Sequence, residues 1–325
     1  MASEVPIAKS CPKCDLPDPL KRNKSVDVSS YELPGAYTYE GVPLAYFTKV
    51  EHIEKIRNLH LREDDVIVAS YPKTGTTLTQ EITWLIRNNA DTEAASKSYN
   101  YVRVPYLENC FPPESDGILL LEQLTPPRHL KTHLPWHLCP QKSIIDGKHT
   151  KAIYVMRNPK DALVSYYYFY CSCASFGQFP GTWSDFFELF LMDKLCYGNI
   201  LDHYVGWWAM RDNPNILLLK YEDILKDHAG QIRHIGKFLG YDLSDDTVET
   251  IRNFTTFKKM SKNPMTNYTS IPEDIDTSIV PFMRKGQVGD WKNHFTVAQN
   301  ELMDMIINKK LAGTGLTFEY DSTNN

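Results

Sequence analysis

The chain has 325 residues, 42% of them hydrophobic and 23% charged, the balance of an ordinary globular protein. Its net charge of −5 argues against a general nucleic-acid or membrane surface, while leaving room for a local anion pocket. No apolar stretch near the start reaches the length of a signal peptide or a transmembrane helix, so a cytoplasmic location is expected.

Residues 1–35 are polar and Pro-containing, with Lys21, Arg22 and Lys24 clustered, and read as a variable, flexible N-terminal segment. Cys11-Pro12-Lys13-Cys14 supplies half of a zinc ligand set and no second pair follows, so no metal is expected there. Seven scattered cysteines fit reduced thiols. No linker or repeat divides residues 36–325, which read as one domain.

The first strand is expected over Asp65 to Tyr71, around the apolar run Val66-Ile67-Val68-Ala69. It runs into Tyr71-Pro72-Lys73-Thr74-Gly75-Thr76-Thr77. Leu78, Ile82, Leu85 and Ile86 then recur at the spacing of an amphipathic helix. A strand, a Gly turn and a helix N-terminus together hold anions, because unpaired backbone N–H groups and the positive end of the helix dipole face outward. The loop is not a Walker A loop, since Lys73 precedes its Gly instead of following it. That order, with no carboxylates placed for Mg²⁺, disfavours a P-loop nucleotide kinase or NTPase.

Further strands are expected at Arg128 to Thr132, Lys151 to Arg157 and Asn215 to Tyr221. Asn158-Pro159-Lys160-Asp161 is a helix start, with Pro at the first position and Asp in the first turn, and places Ser165 about two turns in. Helices are expected over Thr182 to Asp212, Asp223 to Leu239 and Val297 to Leu311. Phe257 to Lys285 reads as a long ordered loop. Alternating strands and helices define an α/β domain with a central, mostly parallel sheet flanked by helices. Ligands of such sheets gather at the carboxyl ends of the strands, which puts Lys73, His133, Arg157 and Tyr221 near one crevice.

Lys131 and His133 lie two apart at a strand end and share a face. Taken alone, His133 could be structural, and Arg157 or Arg284-Lys285-Gly286 could be surface charges. Together with the loop they favour a multiply charged anion. A lysine beside His133 lowers its proton affinity and suits it to act as a base near neutral pH.

These segments, taken in order, resemble the cytosolic sulfotransferases, which use 3′-phosphoadenosine-5′-phosphosulfate (PAPS) and release PAP. The likeness runs from about Tyr39 to about Phe318 and includes Lys131-Thr132-His133-Leu134-Pro135, Arg157-Asn158-Pro159-Lys160-Asp161, Asn263-Pro264-Met265-Thr266-Asn267-Tyr268 and Phe282-Met283-Arg284-Lys285-Gly286. The resemblance implies a P-loop-kinase-like fold in which Lys73, Thr74, Gly75, Thr76 and Thr77 grip the phosphosulfate. It implies that Arg157, Ser165, Arg284, Lys285 and Gly286, with Phe282 and Met283 beside them, hold the 3′-phosphate, and that Leu78, Tyr221, Thr255, Phe257 and Met260 surround the nucleoside. His133 would be the general base, with Lys73, Lys131 and Ser165 completing the catalytic group. The acceptor, a small apolar or aromatic alcohol or amine, would lie against Phe47, Tyr101, Tyr106, Lys131, His133, Phe169 and Phe282. No metal, nucleic acid or membrane partner is implied. A short motif of Lys292, Thr296, Val297 and Glu301 implies a homodimer. Three departures stand out: Leu78 replaces the usual Trp over the adenine, Thr74 the usual Ser, and Tyr168 stands where many relatives carry His, which would reshape the acceptor pocket.

Overall fold

The computed structural model describes residues 24–146 and 150–321; Cys11 and Cys14 lie outside them. Residues 24–35, expected to belong to the flexible segment, lie against the domain. Ser25 donates to the Asp185 carboxylate at 3.0 Å, Lys194 Nζ donates to the carbonyls of Val28 and Ser29 at 3.0 and 2.7 Å, and Leu33 is buried.

A small antiparallel hairpin, β1 (Tyr37–Tyr39) with β2 (Val42–Leu44), turns through Glu40 and Gly41, both at positive φ. Three-residue strands are too short to show an alternating pattern, so the sequence gives no sign of them. Four strands form the main sheet: β3 (Val66–Ser70), β4 (His129–Thr132), β5 (Lys151–Met156) and β6 (Ile216–Lys220). All pair in parallel, in the order β4-β3-β5-β6. Each falls within an expected strand and is one or two residues shorter than it.

Side chains alternate between two cores, one on each face of the sheet, as period-two geometry requires. On β5, Ala152, Tyr154 and Met156 enter one core, while Ile153 and Val155 enter the other with Leu217, Leu219, Ile82 and Leu85. The chain leaves β3 for β4 on one side and returns to β5 on the other. This reversal opens a crevice above the carboxyl ends of the strands.

The helix Thr76–Arg87 follows β3, and Pro159–Ser172 follows β5. In the latter, the Asn158 side chain accepts from the Asp161 N–H at 2.8 Å, and Pro159 occupies the first turn. Two expected helices are each divided. The span 182–212 holds Trp183–Leu191 and Ile200–Trp208, separated by a segment with Asp193, Tyr197 and Gly198 at positive φ. Asn199 caps the second of these. The span 223–239 is cut at Asp227, which caps His228–Leu239, while Tyr221–Lys226 is a separate helix starting at the end of β6. Local capping prevailed over the apolar periodicity in both cases. The expected loop 257–285 contains one short helix, Phe257–Met260, and otherwise bends across the carboxyl ends of the strands. Val297–Leu311 forms as expected.

Candidate active site

The four strand ends and the long loop enclose a cavity of about 910 Å³. Every site residue expected from the sequence borders it except Thr74. The Thr74 hydroxyl turns inward and donates to the carbonyls of Tyr71 and Val155 at 2.8 and 3.0 Å, which fastens the loop to β5. Lys73 and Gly75 take positive φ values of 67° and 109°. A side chain at Gly75 would come within 2.7 Å of the Tyr221 ring, so glycine is required there. The helix Thr76–Arg87 starts without a side-chain cap, leaving its first N–H groups to a ligand.

Lys73 Nζ donates to the Phe282 carbonyl at 3.1 Å and lies 3.7 Å from the centroid of the Phe282 ring and 4.9 Å from that of Phe169. Burial, reinforced by Arg157, Arg284 and Lys131, brings its amine down to about 7. Lys131 Nζ sits 4.1 Å from the Tyr106 ring centroid. Burial lowers it to about 8, against the opposing pull of Glu108.

His133 is held from two sides. Its Nδ1 lies 2.7 Å from the Ser70 carbonyl and 3.2 Å from Ser70 Oγ, which in turn is 2.6 Å from Thr76 Oγ1. A carbonyl can only accept, so Nδ1 carries the proton and Nε2 keeps its lone pair. Burial, then the nearby Lys131, pushes the imidazole well below its usual range, so the ring is neutral at physiological pH. The rings of Tyr106 and Tyr197 flank it, with centroids at 5.4 and 5.6 Å, and their hydroxyls are hydrogen-bonded to each other.

At the far end, the Arg157 guanidinium stacks 4.8 Å from the Tyr221 ring centroid and donates to the Gln287 carbonyl at 2.9 Å. Arg284 and Lys285 both donate to Asp290. Burial alone would raise the Asp290 carboxyl, but the hydrogen bond from Lys285, then those from Asn293 and Arg284, and the charge of Arg284, hold it well below its usual value. The Nε atoms of Arg157 and Arg284 are buried without a hydrogen-bond partner. Gly286 has φ 64°, and a Cβ there would fall 2.1 Å from the Phe257 ring. Leu78 lies on the cavity wall and packs on the second core, with Phe257, 38% exposed, lining the same wall.

Tyr168 corrects an expectation. It is not on the cavity wall: Arg284 lies 4.3 Å from its ring centroid, and its hydroxyl is 2.9 Å from His294 Nε2. Tyr168 stands behind the Arg284 clasp, because its place on the helix points it away from Phe169. Several neighbours of the site escaped sequence reasoning: Ser70, Glu108, Tyr197, His203 and Tyr268. His203 Nε2 donates to the His133 carbonyl at 2.9 Å, and the Tyr268 ring lies 4.2 Å from that of Phe282, centroid to centroid. Tyr268 stood within one of the motifs that carry the family resemblance, while Ser70, Tyr197 and His203 fell inside expected strand or helix spans without being marked.

Of the residues expected at a dimer contact, Thr296 caps the last helix, Lys292 pairs with Asp321, and Val297 is 76% exposed. Among the described residues, no helix is long and apolar enough to cross a membrane, and no cysteine is disulfide-bonded.

A family model described as a sulfotransferase domain matches residues 63–315. The chain is 42% identical to sulfotransferase 1C2 of Rattus norvegicus over 279 residues, covering 86% of this chain and 93% of that protein. It is 43% identical to sulfotransferase 1A1 of Bos taurus, covering 89% and 97%. The protein belongs to the sulfotransferase family and is an enzyme of that class. Among solved structures it resembles retinol dehydratase in complex with androsterone and PAP, with a TM-score of 0.76 and 29% identity over 86% of this chain and 90% of that one. It also resembles mouse sulfotransferase SULT7A1 complexed with PAP, with a TM-score of 0.71 and 27% identity over 86% and 94%.

Proposed function

We propose that the protein transfers a sulfuryl group from PAPS to a hydroxyl of a small apolar or aromatic acceptor, with His133 as general base. The observation that carries this reading is the fixed tautomer of His133, whose unprotonated Nε2 belongs to a ring that shares one cavity with Lys73, Lys131 and a wall of aromatic rings.

The residues present suit such a donor. Two buried guanidinium Nε atoms lack partners, and Gly75 and Gly286 leave backbone space that no side chain could share. Arg157, Ser165, Arg284, Lys285 and Gly286 would hold its 3′-phosphate. Leu78, Tyr221, Thr255, Phe257 and Met260 would enclose its nucleoside, and the loop Lys73–Thr77 its phosphosulfate. When bound, PAPS supplies the activated sulfuryl group.

The chain's own contribution is position and charge. Sulfuryl transfer resembles phosphoryl transfer, in which charge spreads over peripheral oxygens and stabilisation by fixed cations dominates. Lys73 and Lys131 provide those cations once an anion raises their proton affinity. His133 Nε2 takes the acceptor's proton, and the Nδ1–H bond to Ser70 keeps the ring aimed. Phe47, Tyr101, Tyr106, Phe169 and Phe282 form the acceptor side, where planar apolar alcohols fit. A homodimer through the exposed Val297 with Lys292, Thr296 and Glu301 completes the proposal.

The test is incubation with PAPS and a panel of phenols, steroids and aromatic amines, read by product mass, with His133→Ala in parallel. A gain of one sulfate that the variant abolishes supports the reading. Loss of water from an alcohol would indicate elimination after transfer, and PAP binding without any product would overturn the transfer chemistry.

A further inference from the structure

The buried carboxylate of Glu108 has no role in the mechanism above, yet it touches the strand end that supplies both the base and a catalytic lysine. Resting on the sulfuryl-transfer reading, we propose that Glu108 is a positioning residue for the Lys131–His133 pair: its anion anchors the end of β4 and keeps Lys131 charged inside the cavity.

The geometry begins in the backbone. Residues 105–107 run beside β4 as a short parallel extension, in which Lys131 N–H donates to the Pro105 carbonyl and Leu107 N–H to the Lys131 carbonyl, both at 2.9 Å. This places Glu108 just beyond the strand end. Its side chain is fully buried, and its Oε1 accepts the backbone N–H of His133. The nearby Thr132 hydroxyl also lowers the carboxyl's proton affinity. Glu108 therefore holds the His133 main chain, while Ser70 holds the His133 ring. Burial pushes the Glu108 carboxyl up to about 7, while the His133 N–H, the Thr132 hydroxyl and the charge of Lys131 pull the other way and favour the ionised form above neutrality.

The titratable groups around Glu108 are Lys131 from β4, His133 just past its end, Tyr106 from its own segment, Cys196 and Tyr197 from the turn before Ile200–Trp208, and Cys139 farther beyond β4. Lys131 is the sole cation of this set, since His133 is neutral. In the other direction, Lys131 has no ion-pair partner within contact distance among the described residues, and Tyr106 is the ring against its ammonium. Glu108 is the one anion acting on it, opposing the burial that strips its proton. The second carboxylate oxygen is buried without a hydrogen-bond partner.

Glu108→Gln keeps the shape and the acceptor for His133 N–H while deleting the charge. In the full chain labelled with ¹³Cε-lysine, with the Lys131 resonance assigned by its loss in Lys131→Met, Lys131 should titrate ~1–3 pH units lower in Glu108→Gln than in wild type. Glu108→Asp, which restores the charge, should return it towards the wild-type value. Reciprocally, the Glu108 carboxyl should titrate higher in Lys131→Met. With PAPS and 1-naphthol as the probe acceptor, Glu108→Gln should lose activity at a lower pH on the alkaline limb of kcat. An unchanged Lys131 titration in a folded Glu108→Gln protein would overturn the inference. If wild type fails to sulfate 1-naphthol or any panel acceptor, the transfer reading is what fails, and the Lys131 titration still decides the role of Glu108.

Discussion

His133 Nδ1 lies 2.7 Å from the carbonyl oxygen of Ser70, the last residue of β3, so the strand that launches the Lys73–Thr77 loop also sets the tautomer of the proposed base just past β4. The two halves of the reaction are thereby fixed to adjacent strands of one sheet. Removing the ring should lower kcat by ~10²–10⁴-fold, the usual contribution of a general base. The expected result for His133→Ala is that loss, with PAP affinity measured by calorimetry close to wild type. Equal losses in both would mean that the histidine supports the fold of the site instead.

Gly286 is a cradle position. Alanine there meets both an unfavourable φ of 64° and the Phe257 ring at 2.1 Å. Displacing that ring costs ~1–3 kcal/mol at a strained site. PAP binding by Gly286→Ala should therefore weaken by one to two orders of magnitude. Gly313 has φ 74° with nothing within 4 Å, so Gly313→Ala carries the backbone strain alone and should leave PAP binding unchanged.

Lys73 is depressed to about 7 and Lys131 to about 8 from the ordinary 10.5. An anion between them favours the charged forms, so binding raises both. Donor-product binding above about pH 7 should accordingly take up protons, and PAP affinity should fall as pH rises. Calorimetry in buffers of different ionisation heat measures the uptake directly; its absence at alkaline pH would contradict the depressed lysines. The same shifts act on the empty protein. The unfolded chain binds more protons than the native one between about 7 and 10.5, so stability rises with pH across that window.

Leu78 lines the cavity wall proposed to face the nucleoside, where an aromatic ring would stack on the base. Base–aromatic stacking contributes ~1–3 kcal/mol in nucleic-acid sites. Leu78→Trp should tighten PAP binding, with quenching of the new indole as the readout. Unchanged affinity would show that Phe257 already supplies the stack.

Val297 is a large apolar side chain left 76% exposed at the start of the last helix. Val297→Glu should convert a dimer to a monomer in sedimentation at micromolar concentration without loss of helix content. A wild-type protein that sediments as a monomer would remove the dimer proposal altogether.

β3, β5 and β6 were legible because they lie in apolar runs closed by polar residues, the signature of parallel strands buried on both faces; β4, His129-Leu130-Lys131-Thr132, carries no such run. The site was legible for a related reason: His133, Arg157 and Tyr221 each follow a strand directly and Lys73 comes three residues after one, so topology gathers them. What escaped was long-range or negative in character. Ser70 acts through its main-chain oxygen, which no side-chain pattern encodes. Glu108 lies two residues past a short pairing with β4 that is visible only once the register is known. Thr74 was placed at the ligand because its neighbours are, yet its hydroxyl is satisfied by Tyr71 and Val155. The breaks at Asp193 and Asp227 were concealed by apolar residues that continue the helical period across them.

Lys194 gathers the carbonyls of Val28, Ser29 and Tyr31, and the Tyr31 hydroxyl bonds the carbonyl of Phe176, a residue of the cavity wall. The segment of residues 28–31, upstream of the span shared with the family model, therefore acts as a brace on the wall at Phe176. Nicking it would slacken one wall and spare the anion grip. Exchanging it between related proteins offers a way to retune which guest molecule is accepted while the donor machinery is inherited intact.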